Sequence, residues 1–473
     1  MRLLFALSLN AFANFVIGLL VAKFLGPEAF GRFALALAAG VVVQIAFFDW
    51  IRLAAARFGA AARATLDVSF AILTLAVVIP GLGVLLGGLD QPLTPDLLAL
   101  ALAAAVVNGF FDYQQALVRA RFEDRFYARL LLSKNLLSAV LTLGGAWLTG
   151  SALVAVAGVC AAMAGSLALS FRILRAGAAP GEPASLPRAL DYLRYAKPVV
   201  AANLLYLFLA LVNRSLIAER HGFAEAGQFS LAFDIGQRIT QSLGVMLDVV
   251  LFQLAVRADG KGGAQTQVAR NMGLVFALLA PACAGLWLIA PSLERIAAPQ
   301  AFQGPFEIYF SILLPGLFCA AISAFAIAPV FQIARRTGPL IAAALGACAA
   351  NLALLALLPP GPLSIALAQS VAMGFGLLCL ILFALAGPVR WPAPRDLLIP
   401  LLATGAMVAA LYPLRGWEPG LVTLLAQVIG GLAIYGVIIL AFDACGLRGA
   451  LRDALRFRQP RLKSGDPREA FKE

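Results

Sequence analysis

The chain has 473 residues, of which 62% are hydrophobic and 13% charged, a balance that excludes an ordinary soluble domain. The apolar residues form runs of about twenty, the length that a helix needs to cross a hydrocarbon layer of roughly 30 Å. These runs are long and unbroken rather than short and alternating. The sequence therefore predicts an all-α polytopic membrane protein.

Apolar runs bounded by charge, glycine or proline predict about 14 transmembrane helices. In chain order the spans lie near residues 3–25, 30–51, 65–88, 96–117, 130–148, 151–171, 196–217, 227–255, 270–291, 306–331, 338–358, 362–386, 396–414 and 419–442. The least marked divisions are at 148–151 and 359–362, where a short turn signal is all that separates two runs.

One stretch of the chain returns in degenerate form. The sequence AKFLGPEAFGRFALAL at 22–37 recurs 196 residues later as AERHGFAEAGQFSLAF at 218–233. In both places an apolar run ends, a glycine-bounded turn follows, and a second run begins. An internal repeat of this kind predicts two six-helix lobes.

The domain organisation follows from this repeat. We predict an N-terminal lobe (1–171), a cytoplasmic linker (172–197), a C-terminal lobe (198–386), an extra C-terminal helix pair (387–445) and a basic cytoplasmic tail (446–473). The linker is rich in alanine, glycine and proline, as flexible connections often are.

The basic residues collect in alternate loops. These loops hold 29 of the 36 Lys and Arg residues, and the others are Lys23, Arg32, Arg214, Arg220, Arg238, Arg295 and Arg415. By the positive-inside rule both termini are cytoplasmic, as an even number of spans requires. The net charge of +12 thus indicates membrane topology rather than a nucleic-acid partner.

The residues that several kinds of catalytic or metal-binding site require are absent from the sequence. The chain has one histidine, His221, and its six cysteines are isolated from one another, so neither a metal site nor a disulfide framework is predicted. A phosphate-binding GxxxxGK[ST] loop is absent, as are a DxD-like pair and a large outer loop. The sequence therefore predicts a protein that is not an enzyme and has no cofactor.

Charged residues inside predicted spans are the candidate functional groups, because each costs about 2.5–3.5 kcal/mol at bilayer depth. In span eight, Asp234 and Arg238 are four residues apart and can pair, while Gln241 and Asp248 continue that face. Further candidates are Lys23, Asp49, Arg52, Asp112, Asn203 and Arg214.

Each candidate also has a structural interpretation. Asp49, Arg52 and Asp112 can be interfacial residues, and Lys23 can extend to the headgroups. The alternative is a wet cavity between the lobes, where buried cations attract an anion and carboxylates bind protons or cations.

The first repeat copy resembles the R-x-L-G-P-x-x-x-G-x-[FY] opening of polysaccharide-biosynthesis flippases. The segment from Asn213-Arg214 through Gly227-Gln-Phe-Ser-Leu-Ala-Phe resembles their seventh and eighth spans. These flippases share an exporter superfamily with lipid II flippases and multidrug antiporters. Two positions depart from the family pattern, which commonly has arginine at Lys23 and an acidic residue at Asn213.

This resemblance implies two lobes that alternate between inward-open and outward-open forms. The implied cargo is an oligosaccharide on a polyprenyl diphosphate, flipped to the outer leaflet of the bacterial inner membrane for cell-surface polysaccharide synthesis. Membrane lipids, a polysaccharide polymerase and glycosyltransferases are the implied partners. By position, Lys23, Arg52, Arg214 and Arg238 would meet the diphosphate, and a groove at spans thirteen and fourteen would hold the lipid tail.

The coupling ion and three other functions remain to be considered. H⁺ or Na⁺ coupling through Asp49, Asp112, Asn203, Asp234, Gln241 or Asp248 is open. A cation-coupled multidrug antiporter of the same superfamily is the second transporter reading. A membrane glycosyltransferase or polymerase is disfavoured by the missing catalytic residues, and a scaffold would not need charges at depth.

Overall fold

The computed structural model describes residues 2–86, 93–121, 123–176, 183–259, 264–333, 336–387, 389–446 and 448. Side chains are described within these ranges except at 2–9, 11, 60, 84–86, 124, 172–176, 246–259, 264–265, 333 and 445. This part of the chain contains helices and turns but no strand, which confirms the predicted all-α fold.

Fifteen α-helices make up most of the described residues. They are α1 (Arg2–Phe58), α2 (Arg63–Leu86), α3 (Pro95–Ala120), α4 (Asp124–Ser138), α5 (Gly144–Thr149), α6 (Ala152–Ala176), α7 (Leu186–His221), α8 (Phe223–Asp259), α9 (Ala264–Ala297), α10 (Pro305–Ile322), α11 (Ala328–Ile333), α12 (Gly338–Leu357), α13 (Pro362–Leu385), α14 (Pro394–Leu411) and α15 (Leu421–Phe442). Two π-helical turns, Ala139–Leu143 and Ser323–Ile327, join α4 to α5 and α10 to α11.

Within the described residues, twelve segments are long and apolar enough to cross a membrane. The first, Phe12–Phe58, contains both predicted spans one and two, because Gly26 breaks α1 into α1a (residues 2–25) and α1b (residues 27–58). Helix α8 is not among the twelve, and its 37 residues include Glu225, Asp234 and Arg238. Counting α8 and both parts of α1, the helices account for all fourteen predicted spans.

The repeated turns have the same backbone conformation. Gly26 has φ 71° and ψ 174°, and Gly222, its equivalent in the repeat, is the residue that separates α7 from α8, with φ 89° and ψ 164°. Positive φ at both positions favours glycine. The repeat seen in the sequence is therefore a repeat of structure.

The two copies of the turn also pack against each other. A Cβ atom on Gly31 would lie 2.0 Å from the carbonyl oxygen of Phe223, and one on Gly227 would lie 2.0 Å from that of Pro27. Pro27 and Gly31 correspond to Phe223 and Gly227 in the repeat, so the contact has the reciprocity of a two-fold interface. Glycine at both positions lets α1b and α8 approach backbone to backbone.

The short turns gather at one end of the bundle, called here the turn end. Phe30 lies edge-on to Phe302, with ring centroids 5.8 Å apart. Arg415 donates a 2.7 Å hydrogen bond to the Glu307 carboxylate. The largest hydrophobic core includes both Phe30 and Phe302. Side chains from both halves of the chain therefore pack against one another at the turn end.

Helix α7 joins the two halves of the chain. Near its start, at what is called here the linker end, Ala196 and Val200 pack into a core with Ile51 and Leu66 of the first half. Near its other end, the Asn213 amide bonds to Asn351 of α12. Helices α14 and α15 pack against α9, outside both halves. The exact domain bounds given above stay predictions.

We expect Gly31→Ala to destabilise the turn end by about 1–3 kcal/mol, because its methyl group would overlap a carbonyl oxygen. Thermal unfolding of the purified protein in detergent would measure this. Gly405→Ala is the matched control, since a Cβ atom there would meet nothing within 4 Å. Equal melting temperatures for the two variants would contradict the close contact.

Candidate substrate cavity

A cavity of about 600 Å³ lies between α1b and the second-half helices. It runs from Arg214 and Phe233, toward the turn end, to Val199 and Gln332, toward the linker end. Its described polar lining residues are Asn203, Tyr206, Arg214, Asp234, Gln237, Arg238, Thr240, Gln241, Ser323 and Gln332. Five of these were predicted from the sequence: Asn203, Arg214, Asp234, Arg238 and Gln241.

An ion pair lies at the turn side of the cavity. The Arg214 guanidinium donates to Asp234 Oδ1, joining α7 to α8, and it also lies 5.1 Å from the ring centroid of Phe233. The predicted pairing of Asp234 with Arg238 is wrong, because the α7 arginine reaches the carboxylate first. The side chain of Arg214 is only 7% exposed, so this pair neutralises itself within the wall.

Amide side chains hold α7 next to this pair. Asn213 Nδ2 donates to Asn351 Oδ1 at 3.1 Å and to Gln369 Oε1 at 2.9 Å, and all three residues are buried. Asn351 Nδ2 donates back to Asn213 Oδ1 at 3.0 Å. This neutral network links α7, α12 and α13 and fixes the position from which Arg214 projects.

Arg238 is the cation that the cavity leaves accessible. Its Nη1 atom donates a 2.5 Å hydrogen bond to the carbonyl oxygen of Asn14, so it crosses from α8 to α1a. It lies fifteen residues, about 22 Å, along α8 from Phe223. Its guanidinium packs over Gly18, where a Cβ atom would lie 2.7 Å from Nη1. Among the described lining residues, Arg238 has no carboxylate partner within 4.0 Å.

Asp49, Arg52 and Asp112 form a separate polar cluster in the first half. Arg52 Nε bonds to Asp49 Oδ1 at 2.5 Å, and Gln44 Nε2 donates to Asp112 Oδ2 at 2.7 Å. Asp49 is buried, with 5% of its surface exposed. None of these residues is in the lining of the cavity described above.

Lys134 connects this cluster to the cavity. Lys134 lies within α4, inside predicted span five. Its Nζ atom is 3.5 Å from Asn14 Oδ1, and it interacts electrostatically with Asp112 and Arg238. Asn14 therefore contacts Lys134 through its side chain and Arg238 through its main chain.

Two predicted site residues remain apart from the cavity. Lys23 is exposed, three residues before Gly26, and does not line it. The side chain of Asp248 lies outside the described residues. The roles predicted for both stay predictions.

Several polar residues of the site were not predicted from the sequence. Gln44, Gln237 and Lys134 lie within or beside apolar runs. A polar residue in such a run is a sequence signal that would have identified them. Asn351 and Gln369 are single amides in spans eleven and twelve, and only the fold brings them to Asn213. Across the described residues, no group of three His, Cys, Asp or Glu side chains could hold a metal ion.

The comparison with known families decides where this chain belongs. A family model described as "Polysaccharide biosynthesis protein" matches residues 58–301, slightly more than half of the chain. The chain belongs to this polysaccharide biosynthesis protein family. The resemblance drawn from the repeated turns is thereby confirmed. No curated protein matches the chain by sequence.

Solved structures extend the comparison of the fold. The polysaccharide biosynthesis protein is similar to the lipid II flippase MurJ in an inward closed conformation, at 15% identity and a TM-score of 0.63, covering 95% of this chain and 99% of that one. It is also similar to an inward-facing multidrug resistance MATE family transporter of the MOP superfamily, at 15% identity and a TM-score of 0.53, covering 84% and 95%. The chain therefore shares the fold of these two proteins.

Replacing one partner of the Arg214–Asp234 pair should be strongly destabilising, by about 3–5 kcal/mol, because it leaves a buried charge unpaired. We expect Arg214→Met and Asp234→Asn each to lower the melting temperature markedly. The double variant should lose much less than the two single losses added together. Strictly additive losses would show that the two residues are not coupled.

Gly18→Ala should displace the Arg238 guanidinium from the cavity wall, since the new methyl group would occupy its position. We expect cells that depend on this variant to make well below the wild-type amount of polysaccharide, while the protein remains folded. Gly83→Ala is the control, because a Cβ atom there meets nothing within 4 Å. An unchanged amount of polysaccharide with Gly18→Ala would show that the position of the Arg238 side chain does not matter for polysaccharide synthesis.

Proposed function

We propose that this protein flips a polyprenyl-diphosphate-linked oligosaccharide from the inner to the outer leaflet of the bacterial inner membrane. The observation that carries this proposal is Arg238, a cation that faces the cavity and has no carboxylate partner among the described lining residues. A diphosphate is a stronger acceptor for a guanidinium than the neutral Asn14 carbonyl oxygen is. Membership of the polysaccharide biosynthesis family supports a glycan as the rest of the cargo.

An apolar groove supports a lipid-linked cargo. It has a volume of about 300 Å³ and lies among α8, α9, α14 and α15. Its lining is hydrophobic apart from a few groups such as Gln427 and Tyr435, and it shares α8 with the cavity. The polyprenyl tail would lie in this groove while the diphosphate reaches Arg238.

The positions of the cavity and of the glycine contact between α1b and α8 suggest how transport proceeds. The glycine contact closes the turn end, and the cavity extends toward the linker end, which the distribution of Lys and Arg assigns to the cytoplasm. Cargo would enter from that side and draw Arg238 away from Asn14. Loss of this contact between α1a and α8 would favour the form that opens at the turn end.

The clustered carboxylates suggest a route for ion coupling. Asp49 and Asp112 lie beside Arg52 and Gln44, and Lys134 and Asn14 connect them to Arg238. Binding of H⁺ or Na⁺ at these carboxylates would change the charge next to Lys134 and thereby bias the Arg238 contact. Glycosyltransferases would supply the cargo and a polymerase would consume it.

Drug antiport fits the cavity less well. A cationic drug needs an available carboxylate, but Asp234 is the one carboxylate among the described lining residues and Arg214 occupies it. Ethidium efflux that depends on Asp234 would favour this second function.

Deletion of the gene should make the lipid-linked oligosaccharide accumulate in the inner leaflet. Wild-type protein should restore surface polysaccharide, and Arg238→Ala should fail to do so, because one charged contact to a phosphate contributes roughly ten- to hundredfold in affinity. Arg238→Lys should be intermediate, since a point charge replaces the planar fork.

The matched control is Arg194→Ala, whose side chain is 81% exposed at the linker end. It should restore polysaccharide fully. If the intermediate does not accumulate while polymer synthesis is otherwise active, or if Arg238→Ala restores wild-type levels, the proposal is wrong.

A further inference from the structure

The linker side of the cavity carries four amide side chains. They are Asn203 on α7, Gln237 and Gln241 on α8, and Gln332 on α11. Gln237 and Gln241 are four residues apart and therefore share a helix face. Three helices thus direct the same chemical group into one space.

These amides are free to bind a ligand. Within the part of the chain that the structure describes, none of the four side chains has a hydrogen-bonding partner, and Asn203, Gln241 and Gln332 are exposed. The buried amides of Asn213, Asn351 and Gln369 differ, because they bond to one another. The cavity amides do not hold helices together.

The charge of the lining limits what these amides could bind. Asp234 is paired with Arg214, so no carboxylate among the described lining residues is available for an amino sugar. Arg238 is the available cation, and the diphosphate would bind to its guanidinium. A uronic acid would therefore find no second unpaired cation among these residues, since Arg214 is paired with Asp234.

We infer that the four amides form a subsite for uncharged sugar, next to the diphosphate contact at Arg238. This inference rests on the proposed function. Each amide presents both a donor and an acceptor, which matches a sugar hydroxyl that both donates and accepts. Tyr206 and Phe325, both half-buried in the same lining, offer apolar surface to the carbon face of a sugar ring.

The size of the cavity agrees with this assignment. About 600 Å³ is in the middle of the range for sites that enclose a small ligand. The cavity holds the diphosphate and the sugars nearest to it, so the subsite selects the proximal sugars of the glycan rather than its whole length.

Binding of three short-chain lipids to the purified protein in nanodiscs tests the inference. The lipids are farnesyl diphosphate, farnesyl diphosphate bearing one neutral N-acetylhexosamine, and farnesyl diphosphate bearing one hexuronic acid. We expect the neutral sugar to increase affinity over farnesyl diphosphate and the hexuronic acid not to increase it.

Substitutions of the amides test whether they cause the increase in affinity that the neutral sugar gives. Gln241→Ala and Asn203→Ala should each weaken binding of the neutral-sugar lipid roughly two- to tenfold, the loss of one neutral hydrogen bond, and leave farnesyl diphosphate binding unchanged. Arg238→Ala should weaken binding of all three lipids. Gln300→Ala is the control, because Gln300 is exposed at the turn end, away from the cavity.

The outcomes separate this inference from the proposed function. If farnesyl diphosphate itself does not bind in an Arg238-dependent way, the proposed function fails. If it binds but the neutral sugar adds nothing, or if the uronic acid binds more tightly than the neutral sugar, the subsite is wrong. The inference would likewise be overturned if the amide variants lost equal affinity for farnesyl diphosphate and for the neutral-sugar lipid.

Discussion

The backbone contact between α1b and α8 at Gly31 and Gly227 is the constraint on which the rest of the structure depends. It joins equivalent points of the two repeats and fixes how the halves of the chain meet at the turn end. Because the contact is between main chains, it leaves no space for side chains to adjust. Helices that meet this closely at one end can diverge toward the other, and the cavity occupies the space that opens between them.

The charged residues of this cavity divide into groups with different physical roles. Arg214 and Asp234 neutralise each other in the wall, where an unpaired charge would be costly. Arg238 instead bonds to a neutral carbonyl oxygen across the interface between the halves, an interaction that an anion can replace. This cavity has one arginine whose hydrogen-bonding partner an anion can replace, and several amides without partners. Such a lining suits a cargo that is anionic at one point and otherwise neutral. The contact that recognises such a cargo is also a contact that holds the two halves together.

Much of the fold follows from patterns that are local in the sequence. Apolar run length predicted every membrane helix, including α8, whose polar residues leave it outside the segments found by hydropathy. The glycines at 26 and 222 marked the repeated turns, since positive φ is a property of one residue and its neighbours. The ion-pair partners of the charged residues were less predictable from the sequence. Asp234 and Arg238 have a favourable helical spacing, but Arg214, twenty residues away in the chain, takes the carboxylate.

The sequence by itself determined that this is a multi-span helical membrane protein of a polysaccharide biosynthesis family, built twice from one unit. It also identified Arg238, Asp234 and Arg214, because charge within an apolar run is visible without a fold. Only the tertiary structure decided which charges neutralise each other, which amides bond together and which face the cavity. Composition and spacing act along one helix, whereas the partner of a buried polar group is set by the helices packed around it.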